Sequence, residues 1–129
     1  MSDPEIAEII EINRQLLQSI AAGDWATYES LCDPSLTCFE PEARGHLVRG
    51  LDFHRFYFNL GAAEGPRNTT MASPKVRLVG DVAIVTYIRL VQYLDESGGP
   101  VTTHYEETRV WERQDGRWRH VHFHRSPCG

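Results

Sequence analysis

The sequence predicts an α+β domain in which a strongly bent antiparallel sheet wraps around a long N-terminal helix and leaves a concave face as a pocket. The helices come first and the long strands follow one another, an order typical of α+β domains. The last four strands are joined by short, glycine-containing connections, as in consecutive antiparallel hairpins. The chain has 129 residues, the length of one ordinary domain, and we expect a single domain over residues 1–129.

Two helices are predicted at the N-terminus. Asp3 can cap the first helix and Pro4 suits its first position, and apolar residues recur at helical spacing until Gly23. Asp24 can cap a second, short helix from Trp25 to about Leu31.

The remaining elements are a short strand, a third helix and four long strands. The short strand runs from Leu36 to Phe39, and the third helix, rich in aromatic residues, runs from Leu51 to about Leu60. The long strands are expected at Thr69–Val79, Asp81–Leu94, Thr102–Arg113 and Arg117–Arg125.

The last two strands form a hairpin around Asp115-Gly116, and the length of its turn decides which side chains share a face. A two-residue loop would pair Arg109 with His122 and leave Arg125 on the opposite face. A three-residue loop that includes Gln114 brings Arg109 and Arg125 to one face, and we adopt it because the glycine then takes the left-handed position. Its pairs are Arg113–Arg117, Arg109–Val121, Glu107–Phe123 and Tyr105–Arg125.

Arg89 lies in the middle of a strand whose two faces are both largely apolar. Such a strand is expected to be covered on both sides, and a buried arginine needs a partner. If Arg89, Arg109 and Arg125 converge, Glu107 offsets part of their repulsion, and an anionic ligand or water can supply the rest. Guanidinium groups bind carboxylates in bidentate fashion. The alternative is that each arginine extends outward or forms an ordinary ion pair.

Four histidines could take part in chemistry. His54 could act as a general base beside an anion pocket, although a histidine on an aromatic helix face is more often a packing residue. His120, His122 and His124 alternate, so we expect them on one face of a strand, opposite the arginines. Metal sites use that spacing, but no cysteine or carboxylate nearby in sequence completes a tetrahedral set. No metal and no cofactor are predicted.

Charge and cysteine content narrow the partners and the compartment. The net charge of −5 and the pI near 5.6 argue against a nucleic-acid or anionic-membrane partner. The N-terminus is acidic and lacks the basic start and apolar core of a signal peptide. Three cysteines, an odd number without metal-type spacing, favour a reducing compartment, so we expect a cytoplasmic protein.

Three long segments together resemble one known family. The segments CDPSLTCFEPEARGHLVRGLDFHRFYF, VAIVTYIRLVQYLD and EETRVWERQDGRWRHVHFHRS are similar to the association (hub) domain of calcium/calmodulin-dependent protein kinase II. The resemblance runs from about Ile6 to Ser126. It implies the cone-like fold shared with nuclear transport factor 2 (NTF2-like) and with the polyketide-cyclase-like (SnoaL-like) enzymes. It also implies self-assembly into stacked rings of dimers.

The resemblance further implies an arginine-lined pocket that binds small carboxylates. The family's pocket residues correspond here to His54, Arg89, Arg109 and Arg125. With two neighbours added, the candidate ligand-binding residues are His54, Tyr57, Arg89, Glu107, Arg109 and Arg125. The loop after Phe58 lacks the aromatic residue found there in some members, so ligand gating by that residue is not expected.

Two functions are consistent with these features. The first is a stand-alone homo-oligomeric hub that binds a small carboxylate or other anion without turnover. No H-R-D, D-F-G or Gly-rich phosphate motif is present, so the chain is not expected to be a kinase. The second is a small isomerase or hydrolase in which His54 or Glu107 acts as base while the arginines stabilise an enolate or carboxylate. The fold hosts binders and enzymes alike. Co-assembly with another protein's hub-like domain is a third possibility.

Overall fold

A computed structural model describes residues 3–128, which fold into helices packed on a six-stranded sheet. In chain order the elements are α1 (Pro4–Ala22), α2 (Trp25–Leu31), β1 (Cys32–Phe39), a 3-10 turn η1 (Pro41–Ala43), β2 (Val48–Arg49), α3 (Asp52–Asn59), β3 (Arg67–Val79), β4 (Val82–Leu94), β5 (Pro100–Gln114) and β6 (Arg117–Pro127). Strand β1 begins at Cys32 rather than at the predicted Leu36, because Cys32 already pairs with His120 of β6. The short strand β2 was not predicted.

Both ends of α1 follow from the sequence. The Asp3 side chain accepts a hydrogen bond from the Glu5 amide at 2.8 Å, and Pro4 occupies the first turn. Gly23 ends the helix with φ of 66°, and a Cβ there would lie 2.9 Å from the backbone nitrogen of Ala62. Glycine is therefore required both by the backbone conformation and by the close approach of another segment. Among residues 3–128, no helix combines the length and the apolar character needed to cross a bilayer.

The sheet is curved and open, with the strand order β2-β1-β6-β5-β4-β3. Helix α1 lies against its inner face, where Trp111 Nε1 donates a hydrogen bond to Asn13 Oδ1 at 3.0 Å. This arrangement confirms the predicted α+β class and the long N-terminal helix. Strands β1 and β6 pair in parallel, which the antiparallel sheet of the prediction did not include. Parallel neighbours need a long connection, and here the chain from β2 to β5 provides it.

The turn between β5 and β6 has two residues, so the predicted three-residue loop is wrong. Gln114 pairs directly with Arg117, and the intervening Asp115 and Gly116 have φ of 51° and 79°. Positive φ at both central residues is the signature of the type I′ turn, whose twist matches that of the strands it joins.

A β-bulge at Val121 nevertheless brings the two arginines to one face. The pairs on either side of it are Trp111–His120 and Val110–His122, and beyond it Arg109 pairs with Phe123 and Glu107 with Arg125. Because the bulge inserts one residue into β6, it reverses which side chains point inward from there on. Arg109 and Arg125 therefore share a face as expected, although the predicted cross-strand pairs are wrong.

The same bulge separates the three alternating histidines. His120 precedes it and is fully buried on the inner face, whereas His122 and His124 lie on the outer face beside Phe39. Thr37 Oγ1 and His122 Nδ1 are 2.7 Å apart. The prediction that all three share one face opposite the arginines is wrong, because the bulge changes the alternation between His120 and His122.

Strand β4 is covered on its inner face only. Tyr87 and Val85 are buried there, while Ile84, Ile88 and Leu90 on the outer face remain partly exposed. The sequence predicted that both faces of β4 would be buried, but within one chain only the inner face is buried. The outer apolar side chains remain available to a partner surface.

Candidate functional site

A cavity of about 230 Å³ opens between the inner face of the sheet and the helices. Its wall contains five of the predicted pocket residues: His54, Tyr57, Arg89, Arg109 and Arg125. The wall also contains residues outside the predicted set, namely Ile20, Tyr28, Glu40, Glu42, Phe58 and Phe123. The sixth predicted residue, Glu107, is 2% exposed and lies behind the arginines.

Glu107 is the centre of a buried hydrogen-bond network. Its Oε1 accepts from Arg109 Nη2 at 3.0 Å and Nε at 3.2 Å, and from the Tyr87 hydroxyl at 2.5 Å. Its Oε2 accepts from Arg89 Nη1 at 3.3 Å. The Arg109 guanidinium, 1% exposed, also lies over the Phe123 ring at 4.3 Å. One buried carboxylate thus binds two guanidinium groups.

Glu107 stays ionised despite its burial. Burial alone would raise its pKa, but Arg109, Arg89 and the Tyr87 hydroxyl outweigh that effect and hold the pKa below its usual value of 4.5. Burial raises the pKa of Tyr87 to about 12, so its hydroxyl remains a donor. Glu107 is an ion-pair partner in this setting, which argues against the predicted role as a catalytic base.

His120 completes the network on the far side of Arg109. Its Nε2 lies 3.5 Å from Arg109 Nη1, and its Nδ1 lies 3.5 Å from the Cys32 sulfur. Burial, followed by the charge of Arg109, lowers the pKa of His120 well below 6.5. Burial also raises the pKa of the Cys32 thiol to about 12. Both groups are therefore neutral, and the uncharged His120 ring does not repel the Arg109 guanidinium.

Arg125 lies at the other end of the pocket with two carboxylates. Its Nη2 is 3.6 Å from Glu40 Oε2 and forms a hydrogen bond with Glu42, and its guanidinium covers the Tyr105 ring at 4.6 Å. This end has two carboxylates for one arginine. The other end has two arginines for one carboxylate, so the pocket is electrostatically polarised.

Arg89 retains unused donor capacity. Its Nε is buried and has no hydrogen-bond partner among residues 3–128, while its side chain is 12% exposed. The register places it between Met71 and Tyr105, which fixes it on the inner face. A buried donor without a partner costs about 1–3 kcal/mol, so an acceptor in the cavity would be stabilised there.

His54 is 8% exposed and is presented to the cavity by α3. Its Nε2 is 2.9 Å from Glu40 Oε1 and 3.6 Å from the Cys38 sulfur. Burial would raise the pKa of Glu40, but the hydrogen bond and charge of His54 and the charge of Arg125 hold it below its usual value. One ligand atom from each of Cys38, Glu40 and His54 lies within 4.8 Å of the others, as metal ligands do.

This cluster was missed because its members come from different elements. Cys38 lies near the end of β1, Glu40 follows just beyond the strand, and the His54 side chain reaches both from α3. The sequence indicates this cluster only through the alternation of Cys38 and Glu40. That alternation points to a shared site only when the position of α3 is known.

Comparison with known proteins decides the family. Residues 5–129 match the family model of the calcium/calmodulin dependent protein kinase II association domain. The chain belongs to this family. It is 55% identical, over 122 residues, to the calcium/calmodulin-dependent protein kinase type II subunit delta of Oryctolagus cuniculus. That match covers 92% of this chain but only 23% of the kinase subunit, so the chain spans under a quarter of that relative's length.

Solved structures of hub domains are equally similar. The hub homology domain of Chlamydomonas reinhardtii has 55% identity and a TM-score of 0.90, covering 97% of this chain and 99% of that one. The association domain from C. elegans has 46% identity and a TM-score of 0.91, covering 95% of each. An NTF2-like superfamily protein of Salmonella enterica, 23% identical with a TM-score of 0.77 over 95% of this chain and 90% of that one, shares the fold alone. The predicted family and fold are confirmed.

We expect Glu107→Gln to lower the free energy of unfolding by about 3–5 kcal/mol near neutral pH, because it leaves the buried Arg109 without its counter-charge. Since the folded-state pKa of Glu107 is lowered, its stabilisation is complete above the ordinary value of 4.5 and is lost as the pH falls through the lower folded-state value. Urea unfolding at fixed protein concentration, repeated at several pH values from neutral to acidic, measures both effects.

The matched control is Glu106→Gln, which removes the neighbouring, exposed carboxylate on the outer face. It should change stability by less than about 0.5 kcal/mol. Equal stabilities for the two variants, or the same loss of stability with falling pH in wild type and Glu107→Gln, would contradict the assignment.

Proposed function

We propose that the chain works as a homo-oligomeric hub domain whose pocket binds a small carboxylate without turning it over. Membership of the association-domain family supports the hub part of the proposal. The single observation that supports the ligand part is the buried Nε of Arg89, which lacks a partner among the described residues and belongs to a side chain on the cavity wall. We also propose that residues 1–129 form a single domain.

The charge distribution favours an anion at the Arg89 end. Arg89 and Arg109 share the one carboxylate of Glu107, so this end has a surplus of one positive charge that no further ion pair among residues 3–128 neutralises. A ligand carboxylate there would accept a charge-assisted hydrogen bond from Arg89, worth about 1.5–3 kcal/mol. The cavity of about 230 Å³ suits a ligand of a few heavy atoms rather than a larger metabolite.

The outer face of β4 supports self-association. Ile84, Ile88 and Leu90 are partly exposed on one side of a long strand, and Leu94 at its end is 48% exposed. Covering such side chains fully contributes about 1.5–3 kcal/mol each. We propose that the copies assemble into a ring of dimers, as the resemblance to the hub family implies.

A cytoplasmic setting is part of the same proposal. Cys32, Cys38 and Cys128 are all free thiols in the described part of the chain. Free thiols persist in reducing compartments.

Butyrate should raise the melting temperature of the wild type more than butyramide, its uncharged analogue, because only the carboxylate can accept from Arg89 as an anion. In Arg89→Ala the affinity for butyrate should fall by about ten- to a hundredfold, the equivalent of one charge-assisted hydrogen bond. Thermal-shift titration with both compounds measures the difference.

Arg14→Ala is the control for loss of a guanidinium, since Arg14 is exposed on α1 and, within the described part of the chain, pairs only with Glu11. It should bind butyrate like the wild type. Equal shifts with butyrate and butyramide, or an undiminished butyrate shift in Arg89→Ala, would contradict the proposal.

Ile88→Asp combined with Leu90→Asp should yield a smaller species than the wild type, because two charges on the outer face of β4 cannot be buried in a contact between copies. Native mass spectrometry at micromolar concentration resolves the species. Gln15→Asp, on the exposed side of α1, adds a charge elsewhere and should leave the assembly intact. A wild-type monomer would argue against the hub, and an unchanged assembly in the double variant would place the interface elsewhere.

One observation favours the alternative of a small isomerase or hydrolase. His54 Nε2 lies 2.9 Å from Glu40 Oε1 inside the pocket, a pair that could accept a proton from a bound substrate. His54→Ala separates the two functions. The butyrate shift should be retained in this variant under both functions, because Arg89 still holds the ligand. Only an enzyme should show turnover of a carboxylate substrate in the wild type and lose it in His54→Ala.

A further inference from the structure

We propose that Cys38, Glu40 and His54 form a binding site for a divalent cation of the zinc class, with an open coordination position facing the pocket. Sulfur, imidazole nitrogen and carboxylate oxygen are the three ligand types that Zn²⁺ takes from proteins. Three protein ligands with one free position are the arrangement of a site that exchanges water or a small ligand.

Two of the three ligand-to-ligand distances are close to those that tetrahedral coordination needs, and the third, between Cys38 and Glu40, is within 4.8 Å. With Zn–S of about 2.3 Å and Zn–N of about 2.0–2.1 Å, the sulfur and nitrogen ligands lie about 3.6 Å apart. The Cys38 sulfur and His54 Nε2 are 3.6 Å apart. His54 Nε2 and Glu40 Oε1, now hydrogen-bonded at 2.9 Å, would separate to about 3.3 Å around the ion.

The cluster is buried and its members are held in place. Cys38 is fully buried, and the side chains of Glu40 and His54 are 5% and 10% exposed. Cys38 pairs with Val48 of β2 and Phe123 of β6, so its strand is fixed on both sides. The His54 ring is oriented by its neighbours, the rings of Tyr28, Phe53 and Phe123. Such rigidity distinguishes this cluster from exposed acidic groups that meet by chance.

The charges also balance. Burial, followed by the charge of Glu40, raises the pKa of the Cys38 thiol to about 12, so cation binding would have to displace its proton. The thiolate formed in that way and the Glu40 carboxylate would supply two negative charges, which neutralise a divalent ion. Arg125, 3.6 Å from Glu40, contacts the other oxygen, Oε2, and leaves Oε1 to the cation. The positive charge of Arg125 is in turn offset by Glu42.

Cobalt(II) provides the test because a cysteine ligand gives it a sulfur-to-metal charge-transfer band in the near ultraviolet. The chelator-treated 129-residue chain titrated with CoCl₂ should develop this band at one equivalent per chain, and ZnCl₂ should abolish it. Cys38→Ser should lose the band. Glu40→Gln should weaken cobalt binding at least about tenfold, as expected for the loss of an ionised ligand.

Cys32→Ser is the matched control. Cys32 is also buried, and its sulfur lies 3.5 Å from a histidine nitrogen, that of His120, but it belongs to no such three-ligand cluster among the described residues. This variant should keep the band and the affinity. Arg89→Ala should also keep them while losing the butyrate shift, so the cation site and the carboxylate pocket succeed or fail separately.

Four outcomes would overturn the cation site. They are an absent band at millimolar cobalt, a band that persists in Cys38→Ser or disappears in Cys32→Ser, and an unchanged cobalt affinity in Glu40→Gln. Near-ultraviolet circular dichroism checks that each variant is folded. If Cys38→Ser does not fold, Glu40→Gln decides, because it keeps the thiol and nearly the same side-chain shape.

Discussion

The ion pair between Glu107 and Arg109 is the constraint on which the inner face of the sheet depends. Both side chains are almost fully buried, and each would be costly to bury without the other. Tyr87 and the neutral His120 satisfy part of the remaining hydrogen-bonding capacity. The network therefore places a permanent charge pair where a purely apolar core would otherwise fill the concave face, and this keeps a polar wall beside the cavity.

The function proposed for the pocket follows from how that carboxylate is shared. Glu107 also binds Arg89, so two guanidinium groups depend on one counter-charge, while Arg125 at the far end has two. The Arg89 end of the pocket therefore has fewer carboxylates than arginines, and the Arg125 end has more carboxylates than arginines. A carboxylate ligand suits the first end, and a cation held by Cys38, Glu40 and His54 suits the second. As we propose it, the cavity would bind an anion at the first end and a cation at the second.

The fold could be predicted from the sequence because the residues that indicate it act locally. Asp3 and Gly23 delimit α1, and the hairpin connections separate the long strands. The sequence offered the convergence of Arg89, Arg109 and Arg125 as one of two alternatives, and the resemblance to the hub family favoured it. The error lay in the β5–β6 register, because the bulge at Val121 depends on packing across the sheet and leaves no local mark.

The same limit applies to the site. Glu107 could be inferred as a partner of the arginines because it shares their strand face. Cys38 and Glu40 could not be connected with His54 from the sequence, because the position of α3 relative to β1 is a property of the tertiary structure.

A double-mutant cycle with Glu107→Gln and Arg109→Met tests the central ion pair most directly. We predict a coupling free energy of about 1–3 kcal/mol in urea unfolding, whereas effects that add to within about 0.5 kcal/mol would contradict the account.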